Sequence, residues 1–294
     1  MYRHKGPNFL GIGASRCGTS WLWSRLKLSS ELNLPPRKEI HYFDRSTKYP
    51  TSSWLAEDSI VNRLFECSKH NSRLRRLAVR GIGGSALDLN WSRLKWYIKY
   101  CFGDYNDEWY LSLFKNNKIT GEITPGYCVL DRSDVRKVRK VCPNAKVIYI
   151  IRDPIERAWS HVRFAWTRER IRNIEDTEAV KSFVDSPAQS LQSMYMKNYK
   201  KWSDIYGNEN VFVGFYDQIS KNPNVFLKEV SNFINITSEE LLVSQNIKIN
   251  KSRRKQIPTT IKRYLVDKYE KCTISTADMF GSFAMEWVKK YKLK

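Results

Sequence analysis

The fold is decided by residues 8–28, Asn8-Phe-Leu-Gly-Ile-Gly-Ala-Ser-Arg-Cys-Gly-Thr-Ser-Trp-Leu-Trp-Ser-Arg-Leu-Lys-Leu28. The first seven residues form an apolar, glycine-containing run that is typical of a short buried strand. From Thr19 the apolar side chains recur at helical intervals, at Trp21, Leu22 and Leu26. A tight turn between a strand and a helix places backbone N–H groups around a phosphate. This stretch therefore predicts a phosphate-binding loop at the edge of a sheet.

The predicted loop lacks the lysine of a nucleotide-hydrolysing enzyme. Gly13 and Gly18 have the spacing of a P-loop, but a threonine follows Gly18 where that motif requires lysine. Arg16 is the loop's own cation. The clearest strand, 146–151, is followed by Arg152 and not by a metal-holding acid. We therefore expect a phosphate-rich ligand held by direct cationic contact, without Mg²⁺.

Strands and helices alternate along the rest of the chain. Strands are predicted at 8–14, 118–123, 146–151 and 210–215, and helices at about 19–28, 132–141, 154 onward, 188–206, 222–235, 259–272 and 283–291. Residues 45–117 are expected to be largely helical with a turn at Arg80–Gly84, and Lys38–Asp44 to form a short extended segment. The pattern predicts an α/β fold, a P-loop-like single domain over 1–294 with a central parallel sheet flanked by helices.

A second candidate binding segment follows the strongest strand. Arg152 lies at its carboxyl end, where open α/β sheets bind ligands, and Ser160 follows on the next helix. An arginine at the entry of a helix and a serine on its flank can bind one phosphate together, although an ordinary helix start would read the same. Glu156 and Arg157 are expected to be solvated or salt-bridged.

The composition excludes some classes of protein. The chain has 294 residues, with 51 Lys and Arg against 30 Asp and Glu, a formal charge of +21. Its 41% hydrophobic residues exclude wholesale disorder. Because no apolar run approaches the roughly 20 residues of a membrane span and the N-terminus has no apolar signal core, we expect a cytoplasmic protein without a membrane span. The charge indicates an anionic partner without choosing among nucleic acid, acidic lipid, nucleotide and acidic polysaccharide.

The cysteines and histidines do not follow a metal-binding pattern. Six cysteines are scattered singly, no C-x-x-C occurs, and the four histidines lack ligand spacing. We therefore expect free thiols and no metal site. Cys17, inside the loop, is expected to act through its size and backbone amide, because no histidine is near it in sequence to activate the thiol.

Two segments together resemble the phosphate-binding motifs of the sulfotransferases that use 3′-phosphoadenylyl sulfate (PAPS). Gly13–Leu22 is similar to the loop that cradles the 5′-phosphosulfate, and Val147–His161 to the segment that binds the 3′-phosphate. Lys38–Asp44 and Gly121–Pro125 resemble motifs of the carbohydrate branch, the relatives of heparan sulfate sulfotransferases and many bacterial enzymes. Ser252–Pro258 resembles that branch's basic loop over the cofactor. The matches occur in the family's order along most of the chain.

The resemblance implies PAPS as the cofactor, adenosine 3′,5′-bisphosphate as its product, and no metal. Arg152 and Ser160 are implied to bind the 3′-phosphate. Arg253 and Lys255 are implied to close over the cofactor from a loop at 250–258, where a solvated basic run is the alternative. Trp21 is placed near the nucleotide, although its helical spacing is more typical of a core residue. The phosphosulfate is assigned to Arg16 with the backbone N–H groups of Cys17, Gly18, Thr19 and Ser20.

Catalytic roles are also implied by the resemblance. Sulfuryl transfer needs a base for the acceptor proton and cations for the charge that develops on the leaving phosphate oxygen. Glu39 is implied as the base, although a surface glutamate in a charged loop is the alternative. His41 is implied to share the proton or orient the acceptor, or else to pack near Tyr42. Arg16 is the implied catalytic cation.

Two positions depart from the family's pattern. Arg16 stands where this branch usually has lysine, and an arginine, with a pKa above about 12, stabilises charge but donates a proton poorly. Ile123 stands where a further active-site lysine is usual. Residues 45–105 match no motif of the family, and we expect an acceptor-specific insertion there.

The sequence thus predicts an enzyme that moves a sulfuryl group from PAPS to a hydroxyl or amine of a carbohydrate, and the excess of positive charge suggests an anionic one. A P-loop kinase or ATPase is the enzymatic alternative, but it needs a lysine after Gly18 and a metal-holding acid. A basic nucleic-acid-binding protein is the other alternative, suggested by aromatic and cationic residues mixed at 91–100, which fit an amphipathic helix equally. We expect no nucleic-acid partner.

Overall fold

A four-stranded parallel sheet forms the centre of the molecule. The structure is a computed structural model that describes residues 6–50, 59–114, 117–242 and 255–293. The sheet has the order β2-β1-β3-β4, with every neighbouring pair parallel. Its strands are β1 (Phe9–Gly13), β2 (Gly121–Ile123), β3 (Lys146–Ile151) and β4 (Val211–Phe215).

The strand order creates a crevice at one edge of the sheet. Phe9 of β1 pairs with Gly121 of β2 on one side and with Lys146 of β3 on the other. The connections that leave β1 and β3 therefore diverge, and such a switch point is where open α/β sheets bind ligands. The loop after β1 and Arg152 after β3 both lie at this carboxyl edge.

The strands are apolar because both faces of the sheet are covered. Every residue of β1 and β2 is buried, and so is every residue of β3 except the partly buried Lys146. Continuous Val and Ile runs of this kind are typical of parallel strands between helical layers.

Fourteen helices surround the sheet in the part of the chain that the structure describes. The first half contains α1 (Thr19–Leu26), α2 (Ile60–Phe65), α3 (Lys69–Leu87), α4 (Trp91–Phe102), α5 (Asp107–Ser112) and α6 (Arg132–Val141), with a 3₁₀ helix at Pro125–Val129. The second half contains α7 (Pro154–Thr167), α8 (Thr177–Asp185), α9 (Pro187–Ser193), α10 (Tyr195–Tyr206), α11 (Tyr216–Lys221), α12 (Pro223–Ile234), α13 (Thr259–Phe280) and α14 (Ser282–Tyr291).

The predicted fold class is confirmed: the chain is α/β, with a parallel sheet flanked by helices. Strand 146–151 and helix 132–141 match their predicted bounds. The helix expected at 188–206 is divided at Met194 into α9 and α10, and α8 was not predicted at all. Short polar helices of this kind are stabilised by packing more than by their own sequence signal.

The turn predicted at Arg80–Gly84 is wrong, because α3 runs through it without interruption. Gly81 lies against α4: a Cβ added there would come 2.4 Å from Cδ1 of Tyr97. The close packing of α3 on α4 needs a glycine at this point. The same packing offsets the roughly 1 kcal/mol by which a glycine destabilises the interior of a helix.

The extended segment predicted at Lys38–Asp44 is also wrong. No strand forms there, and Glu39 and His41 have left-handed backbone angles, with φ of 68° and 61°. The intervening Ile40 N–H donates to side chains of Glu122 and Thr124, not to a neighbouring strand. Side-chain hydrogen bonds thus replace the ladder that the alternating pattern suggested.

Candidate active site

The loop between β1 and α1 is fixed from three sides. The amide oxygen of Gln192 accepts the Ser15 N–H at 2.8 Å, and its nitrogen donates to the Pro125 carbonyl at 3.1 Å. Gly18 begins α1 with φ of 90°, and a Cβ there would come 2.9 Å from Ile219. In the described chain no side chain caps α1, so the N–H groups of its first turn remain for a ligand.

Three arginines converge beside this loop. Arg16 Nε donates to Ser160 Oγ at 3.3 Å, and Arg152 Nη1 donates to the Arg16 carbonyl at 3.4 Å. Burial lowers the pKa of Arg16 to about 10, with further contributions from the nearby charges of Arg152 and Arg163. A buried group of like charges is favourable only when an anion balances it. The cluster is therefore a candidate anion site.

Arg152 reaches from this cluster towards a second cavity. Its guanidinium lies 4.2 Å from the centre of the Tyr216 ring and Nη2 lies 3.7 Å from Glu156 Oε2. The cavity has about 300 Å³ and is also lined by Trp287 and Lys290. Since Asp153 Oδ1 caps α7 through the N–H of Ile155, the helix that carries Ser160 starts in a fixed direction.

A buried carboxylate anchors the Lys38–Asp44 loop to the sheet. Glu122 is fully buried and accepts hydrogen bonds from Thr124 and Tyr110 at 2.6 Å and from Tyr127 at 3.0 Å. Burial raises the pKa of Glu122, while these donors oppose the rise. Because Glu122 also accepts the Ile40 N–H at 3.3 Å, it sets where the residues on either side of Ile40 lie.

Four charged side chains form a row of alternating sign on that loop. Lys38 Nζ lies 2.6 Å from Glu39 Oε1, His41 Nε2 lies 3.6 Å from Glu39 Oε2, and His41 Nδ1 lies 2.8 Å from Asp44 Oδ2. Lys38 Nζ also donates to Thr19 Oγ1 at 3.4 Å, which ties this row to the start of α1.

The row controls the proton affinity of its members. Burial disfavours charge on Glu39, but His41 and Lys38 outweigh it and lower the pKa of Glu39 to about 2. Burial likewise disfavours protonation of His41, but Asp44 and Glu39 outweigh it and raise the pKa of His41 to about 9. At neutral pH Glu39 is therefore ionised and His41 protonated.

The loop, the charged row and α3 line one large cleft of about 1120 Å³. Its described lining carries a single carboxylate, Glu39, against eight arginine and lysine side chains, Arg16, Arg37, Lys38, Arg73, Arg76, Arg80, Arg168 and Arg170. Such an excess of positive charge concentrates anionic ligands.

The structure brings most of the predicted site residues together. Arg16, Thr19, Ser20, Glu39 and His41 line the cleft. Ser160 Oγ accepts a hydrogen bond from the Arg16 side chain, and Arg152 donates one to the Arg16 carbonyl.

Other predicted residues lie elsewhere. Cys17 is buried, and burial raises the pKa of its thiol to about 11, so the side chain serves the core. Trp21 is nearly buried, with its ring 6.2 Å from that of Phe226, and it does not line the cleft. Lys255 Nζ lies 2.5 Å from Glu175 Oε1, away from the described lining. Arg253 lies outside the described residues.

The sequence did not reveal several residues of the site. Gln192 fixes the loop from α9, Arg163 joins the arginine cluster from α7, and Tyr216 packs on Arg152 after β4. Only Tyr216 had an available signal, because it directly follows a predicted strand at the carboxyl edge.

The prediction for Arg157 needs correction. Arg157 is fully buried, has no carboxylate within ion-pair distance in the described chain, and donates to Ser193 Oγ and to the Gln189 carbonyl. Ile123, the second departure from the family's pattern, is also buried, and a Cβ on Gly11 would meet its side chain at 2.7 Å. The ammonium that lies beside Glu39 is that of Lys38.

Comparison with known proteins identifies a domain family over part of the chain. A family model described as the sulfotransferase domain matches residues 134–278, just under half of the chain. These residues therefore carry a sulfotransferase domain. Carbohydrate sulfotransferase 15 of Rattus norvegicus and of Homo sapiens are each 22% identical to this chain, over 78% of its length and 44% of the relative. The chain thus spans less than half the length of these relatives.

Solved sulfotransferases share the fold. The enzyme from Alicyclobacillus acidocaldarius superposes with a TM-score of 0.62 at 17% identity, over 96% of this chain and 98% of that one. A mouse sulfotransferase complexed with PAP superposes with a TM-score of 0.50 at 13% identity, over 98% and 88%.

The described residues hold neither a membrane-spanning helix nor a metal-type cluster. None of the helices between residues 6 and 293 that the structure describes is long and apolar enough to cross a bilayer. In the same residues, no three His, Cys, Asp or Glu side chains are grouped as metal ligands would be.

Proposed function

We propose that this chain transfers a sulfuryl group from PAPS to a hydroxyl or amine of an acceptor, and that the acceptor is a carbohydrate. The observation that carries the proposal is the anion site at the crevice, where Arg16, Arg152 and Ser160 meet beside the uncapped start of α1. The residues fit a ligand with anionic groups at two places, one at the loop and one beside Arg152.

The first group of residues would hold the donor. PAPS supplies an activated sulfuryl group attached to a phosphate, which leaves as an anion. The N–H groups of Thr19 and Ser20 and the guanidinium of Arg16 can balance charge at the loop. Arg152 and Ser160 can bind the further phosphate, and the Tyr216 ring packed on Arg152 offers an aromatic surface for a nucleoside.

Lys38 supplies the ammonium group that positions 16 and 123 lack. Its ammonium stands between Thr19 at the loop and Glu39, at 3.4 and 2.6 Å. From there it can turn towards negative charge that develops at the loop. Because Lys38 also lowers the pKa of Glu39, such a turn would leave Glu39 more basic.

Glu39 would take the acceptor proton. Its carboxylate is ionised at neutral pH, lines the cleft and lies 3.6 Å from His41 Nε2. Asp44 holds the other nitrogen of His41 and so fixes the ring's orientation. Protonated His41 can therefore hold Glu39 in place, which is a positioning role.

A carbohydrate acceptor is supported by two observations. The curated relatives bear the name carbohydrate sulfotransferase, although they are distant. The cleft beside Glu39 is large and its lining is mostly polar or charged, which suits a ligand rich in hydroxyl groups.

Binding of adenosine 3′,5′-bisphosphate tests the proposal. Isothermal titration without divalent cations should show saturable binding to the full chain, and Mg²⁺ should not improve it. ATP with Mg²⁺ provides the comparison for a P-loop kinase. Binding of ATP·Mg with none of the bisphosphate would refute the proposal in favour of that alternative.

The nucleic-acid alternative has lost its sequence support. Of the aromatic residues at 91–100, Trp96, Tyr97 and Tyr100 are buried in the core and only Trp91 is exposed. The three buried rings pack against one another within the protein, so they do not form a platform on which bases could stack.

A further inference from the structure

A row of arginines on α3 faces the cleft across from the phosphate loop. Arg73, Arg76 and Arg80 all line the cleft, together with Leu77. Their spacing of three, four and seven residues puts them on one side of a helix. The other side packs inward, with Leu74 buried and Gly81 against Tyr97 of α4.

The only hydrogen bond that the described chain shows for these three side chains stays within α3, where Arg76 Nε donates to the Ser72 carbonyl at 3.3 Å. None of them lies within ion-pair distance of a carboxylate among residues 6–50, 59–114, 117–242 and 255–293. The neighbouring Arg75 is different, because its guanidinium donates to carbonyls of Arg63, Leu64 and Glu66 and so ties α2 to α3. Arg75 is structural, whereas the row is directed into the cleft.

We propose that Arg73, Arg76 and Arg80 form an acceptor subsite for an acidic carbohydrate chain, one that carries repeated carboxylate or sulfate groups. The proposal rests on the proposed function, which already assigns the donor's phosphates to Arg16, Arg152 and the loop. The row is thus surplus to the donor. Arg168 and Arg170 line the same cleft and add to its positive charge.

The length of the row favours a chain over a small anion. Arg73 and Arg80 are seven residues apart, which is about 10 Å along a helix at 1.5 Å per residue. One phosphate or carboxylate cannot contact both ends of such a row. Consecutive acidic sugars can, while a neighbouring hydroxyl is presented to Glu39.

The lining disfavours a nucleic acid. Single strands bind through rings on which bases stack, in addition to cations. Phe164 provides the one Phe, Tyr or Trp ring in the described lining, and the guanidinium groups of Arg16 and Arg168 already lie 4.7 and 5.5 Å from its centre. The described cleft therefore offers charge without a stacking surface.

Direct binding of defined oligosaccharides tests the subsite independently of catalysis. The probes are a heparin hexasaccharide, a hyaluronan hexasaccharide and neutral maltohexaose, titrated into protein saturated with adenosine 3′,5′-bisphosphate at low and at physiological salt. The wild type should bind one or both acidic probes and not the neutral one. Affinity should fall with salt, as screening requires.

The decisive variant is Arg73→Gln/Arg76→Gln/Arg80→Gln. Loss of three charge-assisted contacts should weaken binding of the acidic probe by about 10- to 100-fold. The matched control is Arg136→Gln/Lys140→Gln/Lys228→Gln, which also removes three positive charges but from exposed sites outside the cleft. It should change the affinity for the acidic probe less than about threefold. Glutamine keeps helix propensity, so both variants should retain the wild-type circular dichroism and melting temperature.

Several results would overturn the subsite. These are failure of every acidic probe to bind the wild type, unchanged binding by the α3 variant, an equal loss in the control, or tighter binding of single-stranded DNA of matched charge. Binding of the bisphosphate is read separately. Its loss from the wild type would refute the proposed function, while its retention with unchanged oligosaccharide binding in the α3 variant would refute only the subsite.

Discussion

The two walls of the cleft are built in opposite ways. The phosphate-loop wall, formed by residues 13–20 and supported from behind by Arg152, Ser160 and Arg163, is buried or half-buried and held by hydrogen bonds from several elements. The α3 wall, formed by Arg73, Arg76 and Arg80, carries partly or fully exposed side chains on a helix with three glycines. A rigid wall suits a ligand of fixed shape, and an adaptable wall suits one of variable shape. We therefore expect donor recognition and acceptor recognition to be separable by mutation.

Glu39 lies between the walls, and its removal should have the largest effect. Glu39→Gln keeps the size of the side chain but removes the base, so sulfuryl transfer should slow by about 10²–10⁴-fold. Affinity for adenosine 3′,5′-bisphosphate should stay within about threefold, measured by titration beside single-turnover transfer from labelled PAPS. Full transfer by the variant would exclude Glu39 as the base.

Arg152 tests whether the phosphate-loop wall serves the donor alone. Arg152→Met removes a charge-assisted contact and should weaken bisphosphate binding by about 10- to 100-fold. Binding of an acidic hexasaccharide should not change, which is the reverse of the result expected for the α3 row. The control is Arg136→Met, at an exposed position on α6. If both ligands weakened together, the separation of the walls would be wrong.

Two glycines of α3 test what holds that wall in helical form. Gly81→Ala should destabilise the protein by about 1–2 kcal/mol, because its Cβ would come 2.4 Å from Cδ1 of Tyr97. Gly83→Ala meets nothing within 4 Å and should stabilise by about 0.5–1 kcal/mol through helix propensity. Urea denaturation measures both. Equal effects at the two positions would show that contact with α4 does not decide the helix.

The charged row at the base of the walls should make the folded protein less stable as the pH becomes alkaline. The pKa of His41 is raised to about 9 in the folded protein, whereas that of an unfolded histidine is about 6.5. Its contribution is therefore complete below about pH 6.5 and is lost as pH rises through 9. The difference in unfolding free energy between wild type and His41→Asn should shrink by about 1–3 kcal/mol over that range. A constant difference would contradict the coupling of His41 to Glu39 and Asp44.

The elements of the sheet and the phosphate-loop wall could be read from sequence because their signals are local. Strand 146–151 is a continuous run of mostly β-branched residues. Gly13 and Gly18 mark the tight turn between a strand and a helix. Motif order also placed Arg16 and Arg152 near one ligand, and the structure joins them through the Arg16 carbonyl.

The α3 wall and the supports of the site could not be read in the same way. The glycines at 81–84 indicate a turn locally, and only the neighbouring α4 reverses that indication. Gln192, which fixes the loop, is 177 residues away from Ser15 in the chain. Arg157 looks like any helical surface charge until Gln189 and Ser193 surround it.

The fold class, the phosphate loop and the cations next to it are predictable from sequence, because backbone geometry and short-range spacing specify these features. The folded chain was needed to show that Lys38 reaches Thr19, that Glu122 holds Ile40, and that Arg73, Arg76 and Arg80 face the cleft of Glu39. The physical reason is that hydrogen bonds and fields act through space, between side chains that many residues of chain separate.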